Sequence, residues 1–205
     1  SMIYKSFTFV NFLAFPMTIG LIGISNNFSV AFFANKFDGI TPILIIACLL
    51  IIIIGWSNVL GIQVLLPMRQ DKQFSFSTIL GAVINFLINL IVISRFNALG
   101  AIISCVLSEI AVTAVQFYFL RKFLSFKMFA KTFLNPLMSS FVMLLVLAAL
   151  DFVFTANLFL VLVEIAIGGL VYLLMMYLLK DKFFINTLKS LKNKFIVKGN
   201  QNEKV

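Results

Sequence analysis

The sequence predicts an all-α polytopic membrane protein with six transmembrane helices. Three observations predict it. Of the 205 residues, 62% are hydrophobic and only 11% are charged, against about 45–50% and about 25% in an ordinary soluble domain. The apolar residues fall in continuous runs long enough to cross a bilayer. The basic residues gather in alternate connections between those runs. A water-soluble fold of this size has no interior large enough for so much apolar surface, so lipid is the solvent for most of it.

A helix needs about 17–25 apolar residues to cross the hydrocarbon layer. Runs of that kind cover about 7–33, 42–66, 76–93, 99–120, 134–150 and 156–179, followed by a basic tail over 180–205. A membrane strand would alternate apolar and polar residues over about ten positions. These runs do not alternate, and a helix satisfies its own backbone in lipid.

With six crossings, one side collects Lys5, Arg69, Lys72, Arg121, Lys122, Lys127, Lys131 and the tail lysines Lys180, Lys182, Lys189, Lys192, Lys194, Lys198 and Lys204. Only Lys36 and Arg95 fall on the other side. Positive charge marks the cytoplasmic side, so both termini of this segment are expected there. Within the tail, Phe184, Leu188, Leu191 and Phe195 recur among lysines over Phe183–Val197. That spacing fits either a short amphipathic helix on the inner leaflet or a solvated basic anchor. The chain starts Ser1-Met2-Ile3, as expected of a piece of a longer protein.

The composition also excludes function classes. A net charge of +9 could suggest a nucleic acid partner, but the charge sits at helix ends, where anionic lipid headgroups explain it. Histidine, the commonest general base and metal ligand, is absent. Cys48 and Cys105 both fall within apolar runs and read as small buried hydrophobes. No phosphate-binding glycine loop, zinc helix or nucleophile elbow is present, and no metal site is expected.

Function in such a chain is sought among polar residues placed inside the spans, where a charge costs about 2.5–3.5 kcal/mol on insertion scales. Glu109 lies mid-span beside Ser104, Ser108 and Thr113. It is either a cavity carboxylate for a cation, proton or sugar hydroxyl, or a neutral group bonded to another helix. Glu164 poses the same choice. The first span carries Pro16, Gly20, Gly23, Ser25, Asn26 and Asn27, a pattern of interrupted, cavity-lining helices in which Pro16 and Gly20 would act as a hinge. Asn85 and Asn89 are four apart on one helix face, and Ser57, Asn58 and Gln63 share the second span. Such amides either join helices or bind hydroxyl-rich substrates.

The order of landmarks carries a resemblance. Pro16-x3-Gly20-Leu21 is followed by Phe32-Phe33-Ala34-Asn35-Lys36-Phe37, then Gly61-Ile62-Gln63-Val64-Leu65-Leu66-Pro67 before a short basic loop. Gly81-Ala82-x2-Asn85-x3-Asn89-Leu90, Asn97-Ala98-Leu99-Gly100-Ala101 and Ser108-Glu109 come next. Over roughly residues 1–120 the chain resembles the C-terminal half of bacterial polysaccharide flippases. These are the O-antigen, capsule and teichoic-acid repeat-unit translocases of the MATE-like exporter superfamily. Beyond that, the match is only in length and apolarity.

The resemblance implies one six-helix lobe of a two-lobe transporter, with an N-terminal lobe elsewhere in the same protein. It implies a bacterial plasma membrane, and an undecaprenyl-pyrophosphate-linked oligosaccharide as substrate. A polysaccharide polymerase is a candidate partner. No cofactor is implied, with coupling to H+ or Na+ left open. Under it, Asn26, Asn27, Asn85, Asn89 and Gln63 would face the substrate, Glu109 would bind the coupling ion or brace the bundle, and Arg69 and Lys72 would meet the diphosphate. One departure stands out: no Lys or Arg lies deep within a span. Rival readings are a cation-coupled drug exporter of the same superfamily and a membrane-embedded lipid-sugar polymerase. The second lacks the large outward loop such an enzyme needs.

Overall fold

The computed structural model describes residues 2–33, 39–124, 126–153 and 157–190, without the side chains of residues 2, 126–128 and 152–153. Five helices are long and apolar enough to cross a membrane: α1 (Met2–Phe33), α2 (Ile40–Leu60), α3 (Asp71–Leu120), α4 (Phe126–Val153) and α5 (Leu158–Leu178). A short helix, α6, follows over 182–190. This is an all-α, multi-pass membrane protein.

Six crossings arise from five helices because α3 is two. At 50 residues it is far longer than one crossing requires. Asn97 breaks it with φ 48° and ψ −128°, a left-handed backbone that most side chains avoid and Asn tolerates. The halves fold back on each other: Asn85 meets Ser108, and Ser77 meets Gln116. Two glycines permit this approach. A Cβ at Gly81 would stand 2.2 Å from Val112 Cγ2, and one at Gly100 would stand 2.8 Å from the Val92 carbonyl oxygen. The connection expected over 94–98 therefore shrinks to a single residue.

Other boundaries differ from the apolar runs for one reason. Helices α1 and α4 begin earlier than expected, through Lys5 and Lys131, because helical backbone continues past the hydrocarbon layer. The second span ends in a π turn, Gly61–Leu65, with Leu66 N donating to Gly61 O at 3.1 Å. The N-cap of α5 is Asn157, whose side chain accepts from Leu160 N at 2.7 Å.

Helix α1 is the hub. It packs against α2, α4 and α5, while α3 packs on the far side of α2. Its inner face builds two cores. Phe7 joins Leu60, Leu65, Leu120 and Phe129 at one end, and Ile24 joins Met143, Leu147, Val161 and Tyr172 further along. Gly20 and Gly23 serve this packing: Cβ atoms there would lie 3.3 Å from Met143 and 3.0 Å from Leu147. Despite Pro16, α1 runs unbroken from Met2 to Phe33. The interrupted helix expected around Pro16 and Gly20 is not the form seen. The outer face of the first half of α3 is exposed and apolar at Ile79, Phe86, Leu90 and Ile91, as a surface bathed in lipid or covered by further protein must be.

Candidate functional site

Among the described residues, two polar clusters inside this apolar bundle stand beside a cavity. The larger lines a cavity of about 390 Å³ between α2 and the two halves of α3. Its polar lining is Ser57 and Asn58 from α2, Thr78 and Asn85 from the first half of α3, and Ser108, Glu109 and Gln116 from the second. Helical spacing explains part of the assembly. Thr78 and Asn85, and Glu109 and Gln116, are each seven residues apart and so lie on one face of their helices, while Ala82 adds only a methyl group to the lining. Asn58 and Thr78 are exposed at its mouth.

Much of the amide chemistry here is turned inward. Asn89 Nδ2 donates to Asn85 Oδ1 at 2.8 Å, and Asn85 Nδ2 donates to Ser108 Oγ at 3.2 Å. Ser57 Oγ donates to Gln116 Oε1 at 3.2 Å, and Gln116 Nε2 donates to Ser77 Oγ at 3.3 Å. Glu109 is half-buried on the wall and, among the described residues, makes no side-chain hydrogen bond. The buried Asn89 Oδ1, one helical turn beyond Asn85, is likewise without a partner among them. The cavity thus offers the unpaired carboxyl group of Glu109, while the Asn89 amide oxygen is buried beyond the lining.

The smaller cluster lies toward the opposite end of α1. Asn27 Nδ2 donates to Glu164 Oε1 on α5 at 2.6 Å and also to Asp151 Oδ1 on α4. Glu164 is fully buried, and its Oε2 has no partner among the described residues. Two carboxylates converging on one neutral amide need a counter-charge, either a proton or a small cation, because burying unpaired like charges is costly. An apolar crevice of about 280 Å³, lined by Pro16, Gly20, Met143 and Gly168, reaches Glu164.

The structure therefore divides the residues expected to share one site. Asn85 and Glu109 come together at the larger cavity, and Asn89 lies one turn beyond its lining, bonded to Asn85. Asn27 stands apart with the two carboxylates. Asn26 and Gln63 are exposed and outside the cavity, Gln63 on the π turn. Arg69 and Lys72 are exposed at the turn from α2 into α3, where Arg69 takes φ 55°. Neither lines the cavity, although Ile62 and Phe74 on either side of that turn do.

Sequence reasoning missed three participants. Gln116 is buried between α2 and α3, Asp151 reaches the acidic cluster, and Asn11 is fully buried. Asn11 Oδ1 accepts from Trp56 Nε1 at 2.7 Å, and its Nδ2 donates to Thr132 Oγ1 at 2.9 Å. The available signal was that each is a lone polar side chain in an apolar run.

This bundle has a counterpart among solved structures. The lipid II flippase MurJ, in its inward closed conformation, matches with a TM-score of 0.70 over 86% of this chain and 38% of that one, at 22% identity. The chain has the fold of part of a flippase. In sequence it is 31% identical over 74 residues to lipopolysaccharide biosynthesis protein WzxC of Escherichia coli (strain K12), a match covering 36% of this chain and 15% of that protein. No family model matches. The chain thus spans well under half of the length of either protein. The resemblance to polysaccharide flippases that the landmarks carry and these two comparisons point the same way.

Proposed function

We propose that this chain is one lobe of a flippase of the polysaccharide family, which moves a lipid-linked oligosaccharide across a bacterial plasma membrane. The observation that carries this reading is the polar cavity between α2 and α3 with the unpaired Glu109 on its wall, inside a bundle with the fold of part of a flippase. A sugar head group presents many hydroxyl groups, and Glu109, Asn58 and Thr78 line the cavity with polar atoms to meet them. The flip makes and breaks no covalent bond, so only differential binding and motion are needed.

In this proposal a second lobe from the same protein completes the cavity, and the two lobes alternate access. The polyprenyl chain stays in lipid while the head group crosses. The basic end of the bundle faces the cytoplasm, where Arg69 and Lys72 meet the diphosphate of an undecaprenyl-pyrophosphate carrier. For the coupling ion, the Asn27–Asp151–Glu164 cluster is a stronger candidate than Glu109. It joins three helices and already calls for a proton or Na+. A cycle of binding and release there would bias the packing of α1 against α4 and α5.

The test uses the full-length protein in cells. Asn85→Ala with Asn89→Ala, and separately Glu109→Gln, are expected to leave lipid-linked oligosaccharide on the inner leaflet at normal protein level. An unchanged leaflet distribution in these variants and in a deletion strain overturns the reading.

A further inference from the structure

Away from the α2–α3 cavity, the end of the bundle that gathers the start of α1, the start of α4 and the end of α5 holds a recess of about 1020 Å³. Four ammonium groups surround it: Lys5 from α1, Lys131 from α4, Lys180 from the turn after α5, and Lys182 at the start of α6. Asn186 and Ser190 add an amide and a hydroxyl donor, and Asn135 has a second amide hydrogen besides the one it gives Asp181, whereas Thr8 and Thr187 already donate to the Tyr4 and Phe183 carbonyls. Among the described residues, none of the four lysines has an ion-pair or hydrogen-bond partner for its side chain.

The recess is built rather than incidental. Lys180 takes a left-handed φ of 52°, which turns the chain out of α5. Asp181 then fixes α6. Its Oδ1 accepts from Phe183 N at 3.0 Å and Phe184 N at 3.1 Å, and its Oδ2 accepts from Asn135 Nδ2 at 2.9 Å. The one carboxylate in the recess is therefore committed to capping and bracing, and it offsets only one of four positive charges. Phe183 packs on Phe9 and Phe12, and Phe184 on Phe12, so α6 is pinned against the bundle.

We infer that this recess binds the phosphate headgroup of an anionic bilayer glycerophospholipid, locking α6 onto α1 and α4. Three features favour this occupant. The recess lies where helices leave the apolar layer, at headgroup level. Four unpaired lysines with neighbouring hydroxyls and amides match a phosphodiester and its polar head. Phe9 and Leu134 beside it are large, apolar and about half exposed, offering the acyl chains a surface. A transported diphosphate would reach the α2–α3 side instead, so this site is separate from the proposed transport cavity.

The experiment uses purified full-length protein in detergent, with dihexanoyl phosphatidylglycerol as probe and dihexanoyl phosphatidylcholine and inorganic phosphate as comparators. Native mass spectrometry reads binding. Selective binding of phosphatidylglycerol is expected. Lys131→Gln with Lys182→Gln should weaken it by about fivefold per lysine, whereas Lys131→Arg with Lys182→Arg retains it. Arg121→Gln with Lys122→Gln removes the same charge at the same end but outside the recess, and should change binding little. Equal loss in both Gln pairs would show diffuse surface attraction and overturn the site. Inorganic phosphate binding as well as the lipid, or no preference over phosphatidylcholine, overturns the lipid assignment.

Discussion

The Tyr172 hydroxyl donates at 2.7 Å to the Phe12 carbonyl, 160 residues away in sequence. That carbonyl is the one Pro16 leaves without its intrahelical donor, since a proline nitrogen has no hydrogen and would have served residue i−4. A side chain on α5 thus repairs the backbone of α1. The helix continues unbroken past its proline. Tyr172→Phe should lower stability by about 1 kcal/mol. In the Pro16→Ala background, the restored backbone N–H can serve the Phe12 carbonyl, and the same change should cost much less. Thermal unfolding of the four proteins in detergent measures the coupling, and equal costs in both backgrounds would refute it.

The acidic cluster makes a different kind of prediction. Asn27→Leu removes the amide donor that bonds both Glu164 and Asp151 and should destabilise the bundle by roughly 3 kcal/mol. Glu164→Gln keeps the shape and removes one negative charge, so the fold should persist. On the coupling proposal, Glu164→Gln also abolishes the dependence of transport on a proton or Na+ gradient. Transport assays in vesicles with imposed gradients check this, and a Glu164→Gln protein that still responds to the gradient rules the cluster out as the coupling site.

Gly81 sits where the two halves of α3 touch. A Cβ there would lie 2.2 Å from Val112 Cγ2, so the Val112 side chain must shift in a closely packed contact. Gly81→Ala is expected to cost about 1–3 kcal/mol. Adding Val112→Ala should recover most of it, because the obstruction is a side-chain methyl rather than backbone. Unfolding midpoints of the single and double variants decide the matter.

Asn97 offers a backbone test. Its left-handed φ of 48° is strained for a β-branched residue and open to glycine. Asn97→Val should cost about 1–3 kcal/mol, and Asn97→Gly should be tolerated. If Val is as stable as the parent, the reversal does not depend on this residue.

Much of the architecture was legible in the chain. Six apolar runs with basic residues at alternate ends announce six crossings, because hydrocarbon thickness sets the length and backbone satisfaction in lipid demands helices. The boundary at Asn97 was softer, since a one-residue reversal leaves almost no polar segment to see. The tail was half legible. The Phe184 spacing left open an amphipathic helix or a solvated basic anchor; 182–190 is helical with Phe184 buried, but Leu191 and Phe195 lie outside the described residues. For the candidate cavity, Asn85 and Glu109 line one space because the helix faces that carry them turn toward each other. Asn27 was assigned to substrate and instead binds Asp151 and Glu164, a partnership spanning more than 120 residues that no local spacing encodes.

Composition and periodicity alone therefore established a lipid-embedded helical bundle and its number of crossings, since those follow from transfer energies summed along the chain. Which polar side chains meet was decided only by tertiary packing. An isolated Asn, Glu or Tyr in an apolar run must find a partner in lipid, but the run does not say on which helix. The positions of Gly81 and Gly100, the reversal at Asn97 and the central place of α1 set those distances. They separate one set of polar residues into a polar cavity, a carboxylate cluster and a lysine-lined recess.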